Sequence, residues 1–165
     1  MILLISTCAD KLSEAEFVKP IKELTNGVVK HYSILTSDDL LSASHVIICG
    51  TALKDFDYLT GDWTWIKSFT KPLLGICAGY QVILKDFGFT GSAMIGVKKI
   101  DSKTDLLSTS SAYFVNSLQC TNKTNFNVLA ICDGIPCLLK KGNTIACLFH
   151  PEVLNTELIK RFLLL

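Results

Sequence analysis

Short apolar runs separated by helical patterns constrain this chain's fold more than any other feature. Ile2–Ser6 is continuously apolar and ends at small residues, as a strand buried on both faces does. Val28–Leu35 reads as a second strand, His45–Cys49 as a third ending at Gly50, and Pro72–Ile76 as a fourth. Ser13–Glu16 has the spacing of a capping box, and Phe17, Ile21 and Leu24 follow at helical intervals. Pro20 fits that helix only if it lies in a first turn. Asp38–Ser42 reads as a short helix or turn. After a loop at Thr51–Thr60, Trp63, Ile66 and Phe69 share one helical face, and Tyr80–Phe87 forms a helix directly after the fourth strand. Alternating strand and helix predict a parallel α/β sheet with right-handed crossovers.

The second half has a different rhythm. Met94–Ile100, Tyr113–Cys120, Val128–Cys132, Pro136–Leu139 and Thr144–Phe149 are short strands, and Asp101–Ser111 is a polar loop. A closing helix over Thr156–Leu165 places Leu158, Ile159 and Phe162 together. The expected architecture is α/β: an open, mixed, mostly parallel sheet flanked by helices. No repeat or linker divides the 165 residues, so one domain, 1–165, is expected. A chain of this size buries about 70% of its unfolded surface, enough for a core without disulfide or metal staples.

With 16 basic and 15 acidic side chains, there is no basic field to attract nucleic acid. Met1–Ile5 lacks a basic flank and the longer apolar stretch of a signal peptide, and no run is long enough to span a membrane. A cytoplasmic location is therefore expected. The seven cysteines form no C-x-x-C pair, which argues against a zinc or dithiol motif. Most sit in apolar runs, where a reduced thiol acts as a small core residue. Cys77 is the exception.

Gly75-Ile-Cys77-Ala-Gly79 joins the fourth strand to a helix with the G-x-nucleophile-x-G spacing of a nucleophile elbow. The sharp turn crowds the backbone, so the positions two before and two after the nucleophile must lack a Cβ. It lifts Cys77 above the sheet edge at a helix N-terminus, where positive potential favours a thiolate. The N–H of Ala78 would then point at a developing oxyanion. Downstream, His150-Pro-Glu152 ends another apolar run. Residues two apart on an extended chain project to one side, so Glu152 can orient His150, and Pro151 biases His150 toward that extended form. A cysteine, an imidazole and a carboxylate supply a nucleophile, a base and an orienting acid.

The elbow continuing to Tyr80 and Gln81, followed by Phe149-His-Pro-Glu152, resembles the class I, triad-type glutamine amidotransferase family over nearly the whole chain. That family's fold is flavodoxin-like. The resemblance implies that Cys77 is the nucleophile, His150 the general base and then acid, and Glu152 its orienting partner. It further implies that Gln81 contacts the amide of the substrate glutamine. The segment Tyr113–Leu118, with Ser117 and Leu118, would hold the substrate's α-amino and α-carboxyl groups. Gly50 and Thr51 begin the segment that supplies oxyanion N–H groups beside Ala78. Asp133–Pro136 falls at a family hairpin. No cofactor and no metal are implied; the ammonia passes to a separate synthase on another chain. His150–Thr156 is reminiscent of the glutaminase chain of GMP synthase, and anthranilate synthases share part of it.

The chain departs from that pattern in three places. Gly50-Thr-Ala-Leu53 stands where the family usually has Gly-Gly-Pro-Gly, which puts the second oxyanion donor in question. Tyr80 and Asn116 replace common histidines. Trp63, Trp65 and Leu163–Leu165 are candidates for a docking face as well as for packing on the chain's own sheet. Two other readings stay open: a DJ-1/PfpI-like or dienelactone-hydrolase-like cysteine hydrolase, which Gln81 and the His-Pro-Glu segment disfavour, and a regulatory or binding subunit with little or no glutaminase activity.

Overall fold

The computed structural model describes residues 1–165. Strand β1 (Ile2–Ser6) is fully buried from Leu3 onward, as its unbroken apolar run requires. Helix α1 (Lys11–Phe17) follows, capped by the Asp10 side chain, which accepts from the Ser13 amide at 2.9 Å. The cap thus lies three residues before the expected Ser13, because an aspartate already satisfies that orphan amide. Continuing α1 would require an amide at Pro20, which has none. The chain restarts instead as α2 (Lys19–Thr25), with Pro20 in its first turn, and ends at Asn26 with φ 53°. One expected helix is two.

Strand β2 (Val28–His31) is shorter than expected, since Tyr32–Ile34 turns into a 3-10 helix whose Ser33 amide donates to His31 Nδ1. Helix α3 (Ser37–Ser42) carries a full capping box between Thr36 and Asp39. Strands β3 (His45–Ile48) and β4 (Leu73–Ile76) bracket a segment expected to be helical around Trp63. That segment is two 3-10 turns, Asp57–Thr60 and Thr64–Lys67. Trp63 turns inward, its indole N–H donating to the Tyr58 carbonyl at 2.7 Å, which fixes the first turn against the second. Helix α4 (Ala78–Ile83) starts directly after Cys77 and runs into a 3-10 turn at Lys85–Phe87.

Next come β5 (Thr90–Lys99), β6 (Asp101–Ser102), β7 (Ser111–Gln119), β8 (Asn127–Cys132), β9 (Ile135–Lys141) and β10 (Thr144–Cys147). Helices α5 (Pro151–Leu154) and α6 (Thr156–Phe162) close the chain. The main sheet runs β2-β1-β3-β4-β10-β9-β8-β6. Its first five strands are parallel and the rest antiparallel, which is the mixed, mostly parallel sheet the alternation predicts. β5 and β7 pair only with each other, as a separate antiparallel ribbon. The β8–β9 hairpin turns at Asp133 (φ 50°) and Gly134 (φ 79°), the left-handed pair that a two-residue turn demands. No helix is long and apolar enough to cross a membrane.

Candidate active site

Strand order places the chemistry. The neighbouring parallel strands β1, β3, β4 and β10 release Thr7–Ala9, Gly50–Leu53, Cys77 and His150 at their carboxyl ends. Open parallel sheets bind ligands at this edge.

Cys77 has φ 51° and ψ −96°, a conformation costly for a residue with a side chain and typical of a strained elbow. The flanking glycines are needed for space. A Cβ on Gly75 would lie 2.5 Å from the Gly79 carbonyl, and one on Gly79 would lie 2.4 Å from the Ile48 oxygen. The elbow does not leave its thiol open, as the sequence suggests. Cys77 is only 4% exposed, and its thiol donates to the Val115 carbonyl of β7 at 3.3 Å. The β5–β7 ribbon covers it.

His150 Nδ1 lies 2.8 Å from Glu152 Oε1, both side chains being buried. The approach differs from the expected extended pair: His150 is extended, but Pro151 starts α5, so Glu152 reaches back from the first turn of a helix. The ring packs against Phe17 and Tyr113, and its backbone N–H donates to the Tyr113 carbonyl. Burial alone would lower the His150 pKa. The adjacent Cys77 sulfur and the Glu152 carboxylate outweigh it and hold the imidazole well above its ordinary value. Nε2, the nitrogen not used by Glu152, has no hydrogen-bond partner.

Gly50 sits between the two. A Cβ there would lie 2.6 Å from His150 Cε1 and 3.3 Å from Cys77 Cβ. The backbone amides of Gly50, Thr51 and Ala78 donate to no acceptor in the chain. Thr51, Ala52 and Leu53 all have negative φ, so the glycines missing from this segment are not needed for its conformation here.

Gln81 is buried and held at both ends: Nε2 donates to the Leu118 carbonyl at 3.1 Å, and Oε1 accepts from the Tyr58 hydroxyl. Ser117 Oγ donates to the Leu53 carbonyl at 3.4 Å, bridging β7 to the Gly50–Leu53 segment. Burial pushes the Tyr58 hydroxyl far up, so Tyr58 remains a donor. Tyr58 escapes a sequence reading because it lies in an irregular segment with no periodicity. Tyr80 donates to the Pro136 carbonyl at 3.0 Å, and Asn116 Oδ1 accepts from Gln119 Nε2, so both replaced histidine positions serve packing. Trp63 belongs to the core, whereas Leu164 is fully at the surface.

A cysteine on a strand-to-helix elbow, a carboxylate-backed imidazole and free amides near them are the kinds of group that acyl transfer through a thiol requires. Comparison narrows the class. The family model for class-I glutamine amidotransferases matches residues 26–164, and the chain belongs to that family. It is 32% identical over 133 residues to the pyridoxal 5'-phosphate synthase subunit PdxT of Haemophilus ducreyi, covering 69% of this chain and 70% of that one. The PdxT of Actinobacillus pleuropneumoniae is 28% identical over 132 residues, 68% of this chain and 69% of that one. Among solved structures, a GMP synthase subunit from Thermoplasma acidophilum superposes with a TM-score of 0.79 at 18% identity, covering 98% of this chain and 90% of its own. A glutamine amidotransferase from Thermotoga maritima gives 0.69 at 15% identity, covering 92% and 76%. These two show a shared fold.

Proposed function

We propose that this protein hydrolyses the side-chain amide of glutamine and delivers the ammonia to a separate synthase chain. Cys77 is the nucleophile, His150 the proton carrier and Glu152 its orienting partner. The observation that carries the reading is the buried 2.8 Å contact between His150 Nδ1 and Glu152 Oε1. It commits one ring nitrogen to the carboxylate and leaves Nε2 free beside the elbow cysteine.

The thiol proton passes to His150 Nε2, and the thiolate attacks the amide carbon, moving the carbonyl electrons onto oxygen. The Ala78 amide and those of Gly50 and Thr51 receive that oxyanion, each such donor being worth about 2.7–4 kcal/mol. When the tetrahedral intermediate collapses, His150 gives its proton to the leaving nitrogen and ammonia departs. Water, deprotonated by the same nitrogen, then hydrolyses the thioester to glutamate and frees the thiol. Gln81 contacts the substrate amide, and Ser117 and Leu118 lie where its α-groups bind. Entry of glutamine requires β7 to move off Cys77, because Val115 occupies the thiol and Ser117 ties β7 to Leu53.

Free ammonia protonates in water and loses nucleophilicity, so the product is useful only to a docked acceptor. The sequence relatives' name makes a pyridoxal 5'-phosphate synthase partner the first to test, ahead of the GMP synthase favoured by the sequence segment at His150–Thr156. Seven unpaired cysteines fit a reducing, cytoplasmic setting. The closed Cys77 supports a second reading, a binding subunit without turnover. Incubation with glutamine, alone and with each synthase, separates them. Glutamate release that vanishes in Cys77→Ser supports the enzyme, and no release under any condition supports the binding subunit.

A further inference from the structure

The turn after β1 touches Gly50–Thr51 on the side away from Cys77. The order β1-β3-β4 puts β3 between the two, so what β1 holds on one flank determines what faces β4 on the other. Thr7 Oγ1 donates to the Cys49 carbonyl at 3.0 Å, and Cys8 Sγ donates to the Gly50 carbonyl at 3.6 Å. In a trans peptide the carbonyl and the following N–H point in opposite directions. Two successive carbonyls held toward β1 therefore turn two successive N–H groups, of Gly50 and Thr51, toward β4 and its Cys77. A regular strand would instead alternate, sending one of them back.

A second tie fixes the same stretch. Thr51 Oγ1 donates to Asp55 Oδ2 at 2.6 Å, and that oxygen also accepts the Ala9 amide at 2.8 Å. Thr7, Cys8 and Ala9, consecutive residues of one turn, thus grip the segment directly or through Asp55. Burial raises the Cys8 pKa, which keeps the thiol protonated and able to donate.

We infer that Thr7, Cys8 and Asp55 are positioning residues that preset the Gly50 and Thr51 amides as oxyanion donors, replacing the glycine-rich segment common in the family. The inference rests on the glutaminase reading above. It assigns to this chain a clamp of side chains where backbone freedom is missing.

The test measures glutamine hydrolysis by the full chain, with its synthase if one is required, in Thr7→Val, Cys8→Ala, Cys8→Ser and Asp55→Ala. Alongside it, the alkylation rate of Cys77 by iodoacetamide is followed by peptide mass spectrometry. Alkylation develops no oxyanion, so it reports an intact, equally reachable thiol. The expected result is a fall in kcat of about 10-fold to 100-fold in Thr7→Val, Cys8→Ala and Asp55→Ala, short of the full loss of a donor. KM stays within about twofold and Cys77 alkylation is unchanged, since an oxyanion donor acts on the transition state alone. Cys8→Ser, which keeps a donor, recovers most of the rate. Unchanged kcat in all three variants overturns the clamp, and so does a parallel fall of kcat and alkylation, which marks general disruption. A wild-type chain that alkylates at Cys77 but turns over no glutamine with any synthase overturns the glutaminase reading itself, and the clamp with it.

Discussion

A side-chain carbon on Gly50 would stand 2.6 Å from Cε1 of His150, so the imidazole occupies the space that this glycine leaves empty. Gly50 has no positive φ, and its lack of a side chain matters for room alone. In Gly50→Ala the ring or the Gly50–Thr51 segment must shift by several tenths of an ångström or more. If His150 is the proton carrier proposed above, steady-state assays should show kcat reduced by up to about 100-fold, the cost that a misplacement of about 1 Å can carry. Thermal unfolding should show a loss of about 1–3 kcal/mol from overpacking.

The cause of the raised His150 pKa makes a prediction with a definite sign. Burial lowers that pKa, while the nearby Cys77 sulfur and Glu152 raise it and prevail. Cys77→Ser removes the largest raising influence and leaves burial in place, so the imidazole pKa should fall. Titration of the His150 ring resonance by NMR checks this, and a value that stays as in the wild type contradicts it.

Glu152→Gln acts in the same direction by a different route. It removes the second raising influence, so the imidazole loses its proton at lower pH, and the alkaline limb of kcat/KM should move down. Folding stability follows the same sign. A raised folded-state pKa contributes stability below the ordinary histidine value that is lost as pH rises through the folded-state one. Chemical denaturation across that window should show a shallower loss in Glu152→Gln than in the wild type.

How much of this was visible beforehand depends on whether the determinant was local. The elbow was legible because crowding between Gly75 and Gly79 is a property of five consecutive residues. β1 and β4 were legible because strands buried on both faces must be apolar throughout. Pro20 announced a first turn, but the break before it depended on which residue capped α1, and Asp10 competed successfully with Ser13. Around Trp63 the helical spacing misled, since the indole's bond to the Tyr58 carbonyl replaces a regular helix with two turns. The cover over Cys77 was invisible. Val115 lies 38 residues away in sequence, and nothing in β7 records which face of the ribbon meets the elbow. Thr7, Cys8 and Asp55 were hidden for the same reason, since only the order of strands brings them to Gly50.

The elbow glycines should tolerate nothing larger. In Gly79→Ala the new carbon would meet the Ile48 backbone oxygen at 2.4 Å, and a main-chain atom in a central strand cannot move aside cheaply. The variant should lose more than the roughly 1–3 kcal/mol of ordinary overpacking. Circular dichroism and thermal melting read it directly, and a melting temperature equal to the wild type's contradicts the packing described for β3 and α4.

Tyr58 offers the most selective change at the substrate side. Its hydroxyl donates to Gln81 Oε1 while Leu118 accepts from Gln81 Nε2, so the amide is fixed in one of its two flips. Tyr58→Phe keeps the buried ring and removes only the donor. Gln81 is then free to rotate, and its Oε1 is left unsatisfied in a buried setting, a loss of about 1–1.5 kcal/mol for a typical hydrogen bond. If Gln81 contacts bound glutamine, the KM for glutamine should rise by about tenfold, the equivalent of that energy. kcat should change much less, because the Tyr58 hydroxyl donates to Gln81 and makes no hydrogen bond to His150 or to the proposed oxyanion amides. A fall in kcat at constant KM would instead place Tyr58 in the chemistry at Cys77.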